Sequence, residues 1–136
     1  MCTWYLKETS TRLGVVPDTT PEPLRLTQEH RELLDQLLDK WSLQVLDTLC
    51  ERPRRFNELR QAIPAITQKS LTTALRRLER NGMVERVVLS TRPVAVEYRI
   101  TPLGSTLQDL IDRLYHWTTT TLPEVEAARE AFDRYA

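Results

Sequence analysis

Between Thr67 and Arg92 the chain collects side chains able to grip a polyanion. Thr67, Gln68, Lys69 and Ser70, followed by Thr72 and Thr73, place hydroxyl, amide and ammonium groups at the start of one segment. A glutamine amide matches the paired donor and acceptor of adenine, and a threonine methyl can touch that of thymine. Arg76 and Arg77 follow, each long enough to reach a guanine edge or a phosphate. Arg92 stands further on in a turn, where a guanidinium can meet a phosphate or enter a minor groove. Upstream, Arg54 and Arg55 are candidates for backbone contact, although one of them could instead pair with Glu58. These are donors for holding duplex DNA. The plainer reading is a solvated basic face and an exposed turn.

Other chemistry is poorly served. The three glycines, Gly14, Gly82 and Gly104, cannot build a phosphate-cradling loop or a dinucleotide fingerprint. His30 and His116 lie far apart, and neither has zinc-ligand spacing to Cys2 or Cys50. No serine sits in a nucleophile-elbow context. The chain is therefore not expected to be an enzyme or to hold a cofactor or metal.

The elements that must position the donors are legible from periodicity. Thr67 can cap a helix, since its hydroxyl can accept an N–H that the first turn leaves unpaired. Leu71, Ala74, Leu75 and Leu78 then recur at helical spacing as one apolar stripe, and the basic residues fall on the other sides. Asn81-Gly82 ends the helix, because glycine tolerates the left-handed conformation of a helix C-terminus. Val84 to Leu89 and Val94 to Ile100 read as strands, with Ser90, Thr91, Arg92 and Pro93 as the turn between them.

Upstream, Leu33, Leu34, Leu37, Leu38, Trp41, Val45, Leu46 and Leu49 indicate either one long helix or two with a break near Asp39 to Ser42. Phe56, Leu59 and Ile63 mark a short helix stopped by Pro64. Downstream, Thr101-Pro102 opens a helix in which Leu103, Leu107, Leu110, Leu114 and Trp117 form a seam widened by Ile111. Pro123 is expected to open a last short helix through Val125, Ala128, Phe132 and Tyr135. Residues 1 to 26, with Pro17, Pro21 and Pro23, read as an irregular arm in which only Trp4, Tyr5 and Leu6 could dock.

Charge follows the same division. The chain holds 19 basic and 19 acidic residues, with a pI near 6.7. From Lys40 to Ile100, however, twelve Lys and Arg stand against six Asp and Glu, so the flanks carry the opposite excess. A basic centre between acidic ends points to a polyanionic partner. Nothing in the pattern suggests export or a membrane, so a cytoplasmic location is expected. The cysteines make no disulfide framework: Cys50 reads as a small core residue and Cys2 as an incidental exposed thiol, with a reactive thiol or an intermolecular bridge as the alternatives.

The expected fold class is mainly α with a small β-hairpin wing: a winged helix-turn-helix with flanking dimerisation helices. Its expected divisions are the arm at 1–26, the winged domain with its dimerisation helices at 27–119, and a helical extension at 120–136. About four turns of apolar seam are more than a small winged domain easily covers. Leu33, Leu37, Leu103, Leu107, Leu110, Ile111, Leu114 and Trp117 are therefore expected at a homodimer interface, with packing inside one subunit as the rival reading. Trp41, Tyr115 and Trp117 could line a cleft for a small-molecule effector, or could simply be core. The leading functional expectation from the residues is a protein that binds double-stranded DNA as a homodimer. Its rival is a winged helix that binds protein, which near-neutral net charge and apolar terminal helices would suit.

Four motifs in close order carry a family likeness. They are Lys40-Trp41, RFNEL at Arg55 to Leu59, ITQKSLTTALRRLERNGMVER at Ile66 to Arg86, and PVAVEYRITPLGSTL at Pro93 to Leu107. From Leu34 to Trp117 the chain resembles the HxlR-type winged helix-turn-helix regulators, relatives of the MarR group. The resemblance implies a sequence-specific transcriptional regulator acting as a homodimer on a pseudo-palindromic operator, with the dimer built from the first and last helices, recognition helices in successive major grooves, and wings beside the backbone. Many members carry a cysteine about thirteen residues before the tryptophan; this chain has Gln28 there, so no thiol sensor is expected at that site. The usual glycine pair before Lys40-Trp41 is replaced by Leu38 and Asp39.

Overall fold

A computed structural model describes residues 25–135. The arm residues Cys2, Trp4, Tyr5 and Leu6 lie outside the described residues. The described chain runs α1 (Gln28–Leu37), α2 (Lys40–Glu51), β1 (Arg54–Arg55), α3 (Phe56–Ala62), α4 (Gln68–Arg80), β2 (Val84–Thr91), β3 (Val94–Ile100) and α5 (Pro102–Tyr135). The strands form one antiparallel sheet in the order β1-β3-β2. This is a winged helix-turn-helix: α3 and α4 make the helical pair, and β2 and β3 make the wing.

Local chemistry explains the boundaries. The apolar run from Leu33 to Leu49 splits in two because Asp39 caps α2, its carboxylate accepting the N–H groups of Trp41 at 3.0 Å and Ser42 at 2.9 Å. Helix α3 opens on a return bond in which the Arg55 N–H donates to Glu58 at 2.9 Å. Helix α4 opens where the Thr67 hydroxyl accepts the Ser70 N–H at 3.0 Å, and it closes at Gly82, whose φ is 79°. Only the two-residue β1 has no counterpart in the periodicity. It forms because Arg54 and Arg55 lie opposite Tyr98 and Glu97 on β3.

The core lies where α2 crosses α4 and the base of the sheet. Val45, Leu46, Leu49, Leu59, Leu71, Leu75, Leu78, Val84 and Ile100 are buried there. Burying each large aliphatic side chain is worth about 1.5 to 3 kcal/mol, so the core fixes α4 against α2. Helix α5 is clamped by its first turn. The Thr101 hydroxyl accepts the Gly104 N–H at 3.0 Å and donates to the Gly82 carbonyl at 2.5 Å. A Cβ on Gly104 would stand 2.1 Å from the Met83 carbonyl oxygen, so only glycine allows this approach.

Three expectations change. Pro123 does not open a separate helix, because α5 continues through it to Tyr135. Proline removes one N–H, but Thr119, whose carbonyl loses that partner, is exposed and can be hydrated. The hydroxyls just before it also fold back on the helix, Thr119 to the Tyr115 carbonyl at 3.1 Å and Thr121 to that of Trp117 at 2.6 Å. Leu37 and Ile111, expected at a subunit interface, are instead in the core of the single chain at 3 % and 1 % exposure, with Leu107 packed beside them. Cys50, expected as a small core residue, packs half-buried at the core edge and is disulfide-bonded. The one other cysteine of the chain is Cys2, outside the described residues.

Candidate nucleic-acid interface

Helix α4 separates its residues cleanly. Leu71, Ala74, Leu75 and Leu78 are buried, whereas Thr67, Gln68, Lys69, Thr72, Thr73, Arg76 and Arg77 are exposed. The side chains of Gln68, Lys69, Thr72, Thr73 and Arg76 make no hydrogen bond or ion pair among the described residues. Their donors are open to a ligand. Ser70 differs: it is half-buried, and its backbone and side chain both engage Thr67, so the pair serves the helix start. Towards the other end, Arg76, Arg77 and Arg80 line an open cleft of about 470 Å³ with Glu79 as its one carboxylate.

Arg77 is more constrained than its neighbours. Its guanidinium lies 3.9 Å from the carboxylate of Asp39. The same carboxylate accepts the Ser42 hydroxyl at 2.7 Å as well as the two backbone donors that start α2. Lys69, Ser70, Thr73 and Arg77 from α4 share a cavity of about 170 Å³ with Asp39 and Trp41 from the start of α2. The Lys40 ammonium covers the Trp41 ring, 4.5 Å from its centroid. Trp41 therefore faces α4. Tyr115 lies elsewhere, on α5, donating to Asp47 at 3.0 Å, and Trp117 is 58 % exposed.

The wing tip keeps its guanidinium outward. The Arg92 N–H donates to the Ser90 hydroxyl at 3.3 Å, which shapes the turn, and the Arg92 residue itself is exposed. Arg54 and Arg55 part company. The Arg54 side chain is only 13 % exposed and pairs with Glu51 at 2.9 Å, a structural tie between α2 and β1. Arg55 is exposed and can reach outward. The guanidinium that meets Glu58 comes from Arg52, at 3.4 Å. The Arg55 backbone N–H, helped by Arg52, holds the Glu58 carboxyl below the usual carboxylate range.

Asp39 and Arg52 escape a reading that weighs only basic residues and periodicity. Asp39 had a signal, an aspartate three residues ahead of Ser42 at the break in the apolar pattern, which is N-cap spacing. Arg52 had none, because its partner is set by the bend between α2 and β1.

With this geometry in view, likeness to known proteins is specific. Residues 36–126 match the family model described as HxlR-like helix-turn-helix. The chain belongs to the HxlR-like family. It is 35 % identical over 100 residues to the HTH-type transcriptional regulator YtfH of Escherichia coli, covering 74 % of this chain and 79 % of that one. It is 39 % identical over 104 residues to the HTH-type transcriptional regulator YdeP of Bacillus subtilis, covering 74 % and 81 %. Among solved structures, the transcriptional regulator ytfH from Salmonella typhimurium superposes with a TM-score of 0.64 at 35 % identity, covering 74 % of this chain and 89 % of that one. These HxlR-like relatives are named as transcriptional regulators rather than enzymes. No helix among the described residues is long and apolar enough to cross a membrane.

Proposed function

We propose that this HxlR-like regulator binds double-stranded DNA sequence-specifically, as a homodimer on a pseudo-palindromic operator. The observation that carries the reading is the open donor set on α4: Gln68, Lys69, Thr72, Thr73 and Arg76 are exposed and without internal partners among the described residues. The exposed face of α4 enters the major groove, where these groups meet base edges, while Arg92 and Arg55 lie against phosphates. The dimer forms through the apolar residues left uncovered on α1 and α5. Leu33, Leu103, Leu110, Leu114 and Trp117 are each 42 to 58 % exposed. Reading two half-sites in successive major grooves requires the two copies of α4 to stand about 34 Å apart, one turn of duplex.

The test is a salt titration of duplex binding by the full chain, with its mass in solution measured in parallel. A dimer with sequence-selective binding that weakens steeply with salt supports the reading, because each neutralised phosphate releases counterions. No binding above background at low salt would sink it.

One observation favours a second reading. The wing exposes Val88, Leu89 and Val94 at 52, 44 and 75 %, apolar side chains suited to a protein contact. A winged helix working only through that contact would bind no duplex at low salt.

A further inference from the structure

We propose that Asp39 is a specificity-determining residue which withholds Arg77 from DNA phosphates until the recognition helix is correctly seated. The inference rests on the DNA-binding reading and assigns a regulator to one of its cations. Arg77 sits on the exposed side of α4 beside Arg76 and Arg80, where a phosphate would be drawn to all three. Among the described residues, Arg77 is the one of the three with a carboxylate within ion-pair distance, that of Asp39 at 3.9 Å.

Asp39 cannot drift away from this position. One of its oxygens accepts the Trp41 and Ser42 N–H groups, and the other accepts the Ser42 hydroxyl. Ser42 is itself fully buried, so the carboxylate is anchored to the core through α2. Its contact with Arg77 is different. The two side chains are 31 and 49 % exposed, and 3.9 Å is the outer limit of an ion pair, so the bond is weak enough for a phosphate to displace. Asp39 also lies in the cavity lined by Lys69, Ser70 and Thr73, so its charge stands beside the α4 donors that a backbone phosphate would approach.

The consequence is discrimination. A duplex that merely brushes the basic face meets an Arg77 whose charge is partly offset and a carboxylate that repels it. An operator that seats α4 in the groove holds a phosphate close enough to take the guanidinium over. The carboxylate thus weakens random binding more than specific binding, and it raises the ratio between them.

Asp39→Asn is the discriminating variant, because asparagine also caps helices and replaces the charge with a neutral amide. Binding of the full-length protein to an operator duplex and to a random duplex is measured across a salt series, for Asp39→Asn, Arg77→Gln and the double variant. The proposal expects Asp39→Asn to bind random duplex about three- to tenfold more tightly, the operator less so, with a salt slope steeper by about one. In the Arg77→Gln background the same change should move affinity less than about twofold. Equal tightening in both backgrounds would overturn the proposal in favour of a general field effect, and so would Asp39→Asn behaving as the parent, the result for a role confined to capping. If Asp39→Asn does not fold, Asp39→Ser, another capping residue, takes its place with the same outcomes. Absence of duplex binding by the parent itself marks failure of the underlying DNA-binding reading.

Discussion

The Tyr115 hydroxyl donates a 3.0 Å hydrogen bond to the Asp47 carboxylate and so ties the long α5 to α2, the helix on which α4 packs. Asp47 also accepts from the buried Gln108 at 2.5 Å. Desolvation, the bond to Asp47 and the Asp47 and Asp112 charges push the Tyr115 phenol up to about 12 from an ordinary value of 10.0. A raised acid binds its proton more tightly folded than unfolded, so its stabilisation is complete below pH 10 and is lost as pH rises from 10 towards 12. The ring is 42 % exposed, and solvent screening keeps the effect below about 1 kcal/mol. Denaturation curves at a series of alkaline pH values should show this loss in the parent and not in Tyr115→Phe; parallel profiles would refute it.

Glu58 titrates in the opposite sense. Its carboxyl is held below 4.5, first by the Arg55 N–H and then by Arg52. Its contribution is therefore present above that pH and lost as pH falls through the lowered value. Glu58→Gln should cost about 0.5 to 1 kcal/mol at neutral pH, as loss of a charged cap partner does, and the gap should close in acid. A gap independent of pH would show that packing, not charge, is responsible.

Gly104 sets the joint between wing and α5. Gly104→Ala would drive a Cβ to within 2.1 Å of the Met83 carbonyl oxygen, which is backbone and cannot swing aside. The expected loss is about 1 to 3 kcal/mol or more, as for other overpacked sites. A melting temperature equal to that of the parent would contradict the close approach.

Within the interface, base-edge and backbone contacts should separate. Arg76→Ala or Thr72→Ala should weaken specific binding by about 1 to 3 kcal/mol, whereas Arg92→Ala should weaken all sequences alike and flatten the salt slope. Unchanged operator affinity in all three would remove α4 and the wing tip from the interface.

Arg54 and Arg55 offer a contrast between neighbours. Arg54→Ala removes a largely buried guanidinium paired with Glu51, so it should lower stability and leave the salt slope as it was. Arg55→Ala, at an exposed position, should do the reverse. Denaturation and salt titration of the two variants decide it, and a reduced slope for Arg54→Ala would count against a purely structural role.

The recognition helix was legible because its determinants are local. Thr67 caps it, Gly82 ends it, and the Leu71 to Leu78 stripe fixes its buried side, all within one stretch of chain. The dimer seam was harder to read. Leu37 and Ile111 share periodicity with Leu33 and Leu110, and helical spacing cannot say which of two adjacent stripes meets the core. Pro123 misled for a related reason: a proline opens a helix or sits within one according to whether the carbonyl it orphans can be satisfied, and here that carbonyl belongs to an exposed residue.

The sequence by itself determined the helix, turn and strand signals, the basic centre and the family likeness, since these depend on residue type and short spacing. Tertiary structure alone decided which cations are open. Arg54 is held by Glu51, Arg77 faces Asp39 across nearly forty positions of sequence, and Arg76 is left without a partner among the described residues. The strength of a cation for a ligand depends on the carboxylates within a few ångströms of it, and only folding brings those together.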